Sequence, residues 1–252
     1  MPVFDTNVQY YKYLTLKSVA KYTQLNQLDR AFFDIPRMII PGKKPSTRCC
    51  VYKERAIIEE RVRLAIGDDD SKVIEVIDIA CDECPASGYT VSEGCRGCIA
   101  HRCLSVCKVG AISFDSHQKA IIDKSKCVNC GLCAKACQYS AIVDKKRPCE
   151  IACKVGAISM AETKEAQIDY EKCISCGACV YQCPFGAIVD KSSITKAVRL
   201  LQLSKKENNK KAYAIVAPSI SSQFQNAKLP QVITGIKKAP TPKIPQIISC
   251  KP

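Results

Sequence analysis

Sixteen of the nineteen cysteines lie between residues 81 and 190, grouped at spacings that suit metal rather than disulfides. Two stretches read C-x2-C-x2-C-x3-C: Cys127, Cys130, Cys133 and Cys137, then Cys173, Cys176, Cys179 and Cys183. Three cysteines within seven residues, on a tight loop helped by Gly131 or Gly177, can turn their sulfurs onto three irons of one cubane. The fourth, at the start of a following helix, points away and ligates a second cluster. Zinc favours two well-separated C-x2-C knuckles that close a tetrahedron, so this spacing points to iron–sulfur chemistry.

The block repeats itself. Cys107-Lys-Val-Gly-Ala-Ile-Ser113 recurs as Cys153-Lys-Val-Gly-Ala-Ile-Ser159, and each copy runs through Ala-x-Ile-Asp-x-x-Lys-Cys into one of the two regular motifs. A duplicated unit of this kind is an architectural signal stronger than any single motif. Both regular stretches resemble bacterial-type 4Fe-4S ferredoxins, which implies two short β-hairpins and two helices around the clusters. One departure is visible: of the fourth cysteines only Cys183 is followed by proline, while Lys108, Gln138 and Lys154 stand in the other places. Proline there shapes a turn and supplies no ligand, so its loss bears on reduction potential.

Ahead of these motifs, Cys95, Cys98, Cys103 and Cys107 form a C-x2-C-x4-C-x3-C variant. It resembles a variant in the four-cluster electron-transfer subunits of molybdenum oxidoreductases. On that resemblance Cys95, Cys98, Cys103 and Cys137 share one cluster, and Cys127, Cys130, Cys133 and Cys107 another; a structural zinc knuckle is the competing reading. The second unit lacks a leading C-x2-C before Cys149 and Cys153, and Cys81 with Cys84 is the unclaimed pair. If that pair folds across, Cys81, Cys84, Cys149 and Cys183 hold one cluster and Cys173, Cys176, Cys179 and Cys153 the other. The alternative exchanges Cys137 and Cys183 directly between the regular motifs and leaves the other eight to fewer or different sites. Cys49 and Cys50 are adjacent, and neighbouring side chains rarely converge on one metal, so they read as buried or free thiols; Cys250 is solitary. His101, inside a cysteine loop, reads as structural before it reads as a ligand, and His117 as exposed.

The elements that position these groups are partly legible. From Lys53 to Ile66, apolar residues recur at helical spacing and Gly67 stops the pattern, which predicts an amphipathic helix; Val73 to Ile79 predicts a short strand leading into Cys81. Residues 1 to 48 carry no cysteine and disclose no function. The chain of 252 residues is long enough for one or two domains with real cores. No basic segment followed by an apolar stretch opens it, and no run approaches the roughly 18 apolar residues of a membrane span. The expected location is therefore a reducing cytoplasm, where thiolates bind metal. The formal charge of +14 suggests nucleic acid or an anionic surface at face value. Each thiolate-ligated cluster is an anion of roughly −2, however, so four would lower the total to roughly +6. Much of the remaining excess follows Lys191, including Lys205, Lys206, Lys210 and Lys211, and reads as a solvated face.

Taken whole, the sequence resembles the N-terminal, iron–sulfur portion of a monomeric iron-only (FeFe) hydrogenase of clostridial type. Three stretches carry the likeness: Ile39-Ile-Pro-Gly with Arg48-Cys-Cys-Val-Tyr-Lys-Glu-Arg55, then the cysteine block, then Ala212 to Ile220 with Leu229 to Lys237. The resemblance implies electron relay, and it implies that the last stretch opens a catalytic domain whose cluster cysteines lie further downstream in that family. None of those is present here, so the chain alone is not expected to be an enzyme. The expected architecture is α+β: an N-terminal extension over 1–72, tandem 4Fe-4S ferredoxin-like units over 73–193, and a linker with a truncated C-terminal α/β start over 194–252. The expected cofactors are 4Fe-4S clusters and the expected partner a redox protein, either a ferredoxin or an oxidoreductase subunit, with no nucleic acid and no membrane span. Two rivals stand beside this reading, a self-standing polyferredoxin serving another oxidoreductase and a zinc-stabilised nucleic-acid-binding protein.

Overall fold

The computed structural model describes residues 4–67, 72–206, 212–216, 220, 227–238 and 247–249. The chain divides into two compact units, one made of residues 1–71 with 191–252 and the other of residues 72–190. The cysteine block is thus a unit by itself. The segments before and after it, which the sequence separates into an extension and a linker, fall together.

The first unit is helical. Helix α1 (Asn7–Gln24) starts at Thr6, whose hydroxyl accepts from the Gln9 N–H at 3.3 Å. Thr15 and Thr23 are buried on its inner face, and each hydroxyl donates to the carbonyl four residues back at 2.8 Å, so neither is left without a partner. Short helices α2 (Leu28–Ala31) and α3 (Ile35–Ile39) lead to α4 (Val51–Ile66), which matches the predicted helix and extends it by two residues. Val51, Ile58, Val62 and Ala65 recur along one face of α4 and pack with Val19, Leu28, Ala31, Ile35 and Ile40. Val19, Ile35 and Val62 are completely buried, each adding about 1.5–3 kcal/mol of apolar transfer energy.

The loop before α4 is organised by one buried carboxylate. Glu54 Oε1 accepts from Ser46 N at 2.8 Å, Arg48 N at 3.0 Å, both hydroxyls of Ser46 and Thr47, and Thr47 N.

The second unit contains two lobes of the same design. Strand β1 (Ile74–Val76) is shorter than the predicted Val73–Ile79, because Asp78–Ala80 turn into a 3-10 helix before Cys81. Next come β2 (Gly88–Val91), α5 (Arg102–Ser105), β3 (Ile112–Phe114), β4 (Ala120–Ile122), α6 (Leu132–Ala136) and β5 (Ile142–Lys145). The chain continues through α7 (Pro148–Ala152), β6 (Ile158–Met160), β7 (Ala166–Ile168), α8 (Ala178–Gln182) and β8 (Ile188–Asp190). All pairings in this unit are antiparallel: β2 with β5 and β3 with β4 in one lobe, β1 with β8 and β6 with β7 in the other. Helix α5 lies against α6, and α7 against α8.

The lobes are therefore nested, not laid end to end as a simple tandem. The whole inner lobe, β2 to β5, is inserted between the first strand of the outer lobe and its first helix. The cause is the pairing of Ile74 with Asp190, which brings the two ends of the block together. This is an α+β arrangement of small sheets and short helices.

After β8, helix α9 (Ile194–Lys206) returns to the helical unit, where it packs on α1 and α4. Ile194 joins the core, Thr195 is buried, and Gln202 Nε2 donates to Gln24 O at 2.8 Å. Strands β9 (Ala214–Val216) and β10 (Ile247–Ser249) pair in parallel, with α10 (Leu229–Lys238) between them in sequence. Cys250, Lys210 and Lys211 lie outside the described residues. Among the described residues no helix is long and apolar enough to cross a membrane.

Candidate metal centres

Each lobe builds its cysteine positions from the same local parts. In the two regular motifs the third cysteine is preceded by a left-handed residue pair around the second: Asn129 at φ 53° and Gly131 at 75°, Ser175 at 54° and Gly177 at 75°. These left-handed turns reverse the chain often enough to bring successive sulfurs to one side. Each fourth cysteine then accepts a hydrogen bond at its sulfur from the N–H four residues on. The distances are 3.3 Å from Ala111 to Cys107, 3.4 Å from Ala141 to Cys137, 3.2 Å from Ala157 to Cys153 and 3.3 Å from Ala187 to Cys183. The alanines are small enough to sit beside the sulfur, and the isoleucine after each one is buried in the sheet.

The structure brings the cysteines together in sets. Burial pushes the Cys103 thiol up, and the nearby Cys98 and Cys137 thiols push the same way. Cys133 is raised by burial and then by Cys127 and Cys130. Cys179 is raised by burial and then by Cys173 and Cys176. Cys149 is pushed up to about 11, mainly by burial, with Cys183 and Cys81 adding to it. Cys137 thus lies near Cys103, and Cys183 and Cys81 lie near Cys149.

Cys153, Cys173, Cys176 and Cys179 line a cavity of about 250 Å³ whose remaining walls include Ile74, Ile158 and Ile168. Cys107 has the same local setting as Cys153. Ala111 O accepts from Asp123 N at 2.8 Å, as Ala157 O accepts from Asp169 N at 2.8 Å. The leading cysteines also correspond: Ala120 N donates to Cys95 Sγ at 3.4 Å, and Ala166 N, at the same place in the outer lobe, donates to Cys81 Sγ at 3.3 Å. Cys84 follows Cys81 in the loop and is half-buried.

Exposure divides the sets. Cys98, Cys130 and Cys176 are exposed, whereas Cys81, Cys149 and Cys183 are all buried, so three of the expected sets have an exposed cysteine and the fourth has three buried ones beside half-buried Cys84. The surroundings differ too. Where Ile74, opposite Asp190, lines the outer-lobe cavity, the inner lobe has Tyr89, opposite the equivalent Asp144, and Asn129 lies beside it: its Oδ1 accepts from Tyr89 N at 3.4 Å and from Cys127 Sγ at 3.7 Å. Among the described residues no three Cys, His, Asp or Glu side chains close on a single ion. Four thiolates that each take a different iron stand farther apart than four on one zinc, whose sulfurs lie about 2.3 Å from a common centre.

The other sulfur and imidazole groups take local roles. Cys50 caps α4, its sulfur accepting from Lys53 N at 3.4 Å, and that hydrogen bond is the main cause of a lowered thiol value; Cys49 is exposed. His101 adopts φ 41° and stacks on Phe114 with ring centroids 3.8 Å apart. Arg147 is a residue of the site that sequence reasoning passed over; Nη1 of its buried guanidinium lies 3.9 Å from Cys81 Sγ.

Comparison with known proteins agrees with this geometry. Residues 94–141 match a 4Fe-4S dicluster domain, and residues 166–189 match a 4Fe-4S binding domain. A stretch of 52 residues is 35% identical to the uncharacterized ferredoxin-like protein YdhY of Escherichia coli K12, and equally to its counterparts in Escherichia coli O157:H7 and Shigella flexneri. That stretch is 20% of this chain and 24% of the curated relative, so the chain spans about a quarter of the relatives it matches. The cofactors are 4Fe-4S clusters, and the grouped thiols fit them.

Proposed function

We propose that this iron–sulfur electron-transfer protein is a four-cluster relay of the kind that serves an iron-only hydrogenase. Its ligand sets are Cys95, Cys98, Cys103 and Cys137; Cys107, Cys127, Cys130 and Cys133; Cys81, Cys84, Cys149 and Cys183; and Cys153, Cys173, Cys176 and Cys179. The observation that carries the reading is the equivalence of Cys81 and Cys95, each receiving an N–H from the first residue of the second hairpin strand, Ala166 or Ala120. The outer lobe thereby has the full complement of the inner one. Residues 72–190 form the relay module of this proposal.

A bound 4Fe-4S cluster supplies one-electron capacity with no bond made or broken to a substrate. The protein's own groups do the rest. The four alanine N–H donors hold the fourth cysteines in place and stabilise negative charge on sulfur. Ile74, Ile158 and Ile168 give one set an apolar wall, while Asn129 leaves a polar wall on another. Exposed Val128 and Ile174, 65% and 66% accessible, follow the first cysteines of the regular motifs and give a redox partner an apolar surface beside them. The hydrogenase likeness adds the partner class, and the Arg48-Cys-Cys-Val-Tyr-Lys-Glu-Arg55 stretch carries it outside the cysteine block.

Anaerobic iron and sulfide analysis of the reconstituted chain tests the cluster count: about sixteen of each are expected, and about eight of each would overturn it. A second measurement addresses the partner. Under hydrogen with a trace of iron-only hydrogenase, the brown chromophore should bleach faster than that of a two-cluster ferredoxin. Equal rates would remove the hydrogenase pairing and leave the cluster count standing.

A further inference from the structure

We infer that Arg147 is the fixed counter-charge of the cluster held by Cys81, Cys84, Cys149 and Cys183, and that it raises that cluster's reduction potential. This rests on the four-cluster reading above.

Arg147 is 1% exposed and heads the largest fully buried side chains of the described residues. It sits at the N-cap of α7, where Pro148 and Cys149 follow it. Its Nε donates to Pro85 O at 3.2 Å and its Nη2 to Lys164 O at 2.5 Å, which fix the guanidinium plane; Nη1 reaches Cys81 Sγ at 3.9 Å. Its partners are therefore two neutral carbonyls and one sulfur. The carboxylate of Glu150, three residues on, is engaged elsewhere: it accepts from the Arg147 backbone N–H at 3.3 Å and from the Ser87 hydroxyl at 2.6 Å. Glu150 opposes the guanidinium at Cys149, but its charge is already shared with those two donors.

A buried cation without a compensating anion is strongly unfavourable, and arginine cannot shed its proton to escape. The ligand set around Cys81 supplies that anion once its thiolates bind iron. One electron entering the site adds one negative charge, and a guanidinium held nearby in a weakly screened interior favours the reduced form. The inner lobe has no buried guanidinium: Arg96 and Arg102, beside Cys95 and Cys103, are exposed. The position two residues before Cys103, which corresponds to Arg147, is His101, and its ring lies against Phe114 instead of a sulfur. The effect is thus specific to the set around Cys81.

The test is an EPR-monitored redox titration of the full reconstituted chain, with Arg147→Gln and Arg147→Lys beside the wild type and iron measured on each. At full iron content, Arg147→Gln should move one midpoint to more negative potential and leave the others in place, and Arg147→Lys should move it less. Unmoved midpoints in Arg147→Gln at full iron would overturn the inference. If Arg147→Gln loses a cluster, Arg147→Lys decides: with the positive charge kept, it should retain full iron and a midpoint closer to wild type. Loss of the same cluster from Arg147→Lys would show a merely structural role and overturn the inference. A wild-type chain with about eight irons would instead defeat the underlying four-cluster reading.

Discussion

The backbone N–H of Ala166 donates to the sulfur of Cys81 at 3.3 Å, across 85 residues of sequence. Cys81 is thereby placed in the outer lobe, although the inner lobe follows it in the chain. Replacing Cys81 and Cys84 with serine should remove about four irons per chain, one cubane's worth, while Cys49→Ser should remove none. Iron analysis after anaerobic reconstitution checks both. Unchanged iron in the double variant would return the pair to a structural role.

Gly131 and Gly177 share the same φ of 75° at equivalent places, yet only one is crowded. A Cβ at Gly131 would collide with the Tyr89 hydroxyl, whereas at Gly177 nothing lies within 4 Å. Gly177→Ala should cost about 1–2 kcal/mol from the left-handed backbone alone. Gly131→Ala should cost about 1 kcal/mol more unless Tyr89 is also cut back. Urea unfolding of the two variants, and of Gly131→Ala combined with Tyr89→Ala, measures the difference.

Glu54 should make the helical unit acid-sensitive. Burial acts to raise its carboxyl, but the donors of Thr47, Ser46 and Arg48 outweigh burial and hold it below its ordinary value of 4.5. With the folded value depressed, its contribution is present above about pH 4.5 and is lost as pH falls through the lower folded value. Glu54→Gln should cost about 1.5–3 kcal/mol at pH 7, the scale for hydrogen bonds to a charged group. The gap to wild type should narrow in acid. A gap that stays constant from pH 7 to pH 3 would count against the assignment.

Ile35 is completely buried in the helical unit, and its truncation probes whether that unit stands apart from the cysteine block. Ile35→Ala should destabilise the helices by about 2–5 kcal/mol. Iron content should be unchanged at temperatures where circular dichroism shows the helices melted. Parallel loss of helix and iron would show one cooperative unit.

Legibility followed local density of information. The α4 helix was readable because four apolar positions recur over sixteen residues, and the regular cysteine sets because their spacing admits few geometries. The spacing also singled out Cys81 and Cys84 as an unclaimed pair, and the structure brings Cys81 near Cys149. The pairing of β1 with β8 was not readable, since three-residue strands carry almost no pattern and their partner is remote. Helix α9 shows an apolar face, but a face does not name what it packs against, here α1 and α4. Helix α1 did leave a signal: Thr6-x-x-Gln9 is a capping-box spacing, and Gln9 Oε1 accepts from Asp5 N at 3.1 Å. Arg147 was hidden because it closes the run Lys145-Lys146-Arg147, which reads as a solvated edge; Pro148 behind it was the only hint of a turn inward.

Nesting imposes an order on biogenesis. During synthesis at about 5–20 residues per second, roughly 4–17 s separate the emergence of Cys81 from that of Ala166, whose N–H binds its sulfur. In that interval every cysteine from Cys95 to Cys137 leaves the ribosome, so the inner lobe can close and take up metal before the outer lobe has its second half. Cys81 and Cys84 spend the interval as an open dithiol, the form most easily captured as a disulfide by an oxidant. On the proposed four-cluster reading, the set of Cys81, Cys84, Cys149 and Cys183 is thereby the last to be completed, and inner-lobe centres should predominate in chains made under imperfect anaerobiosis.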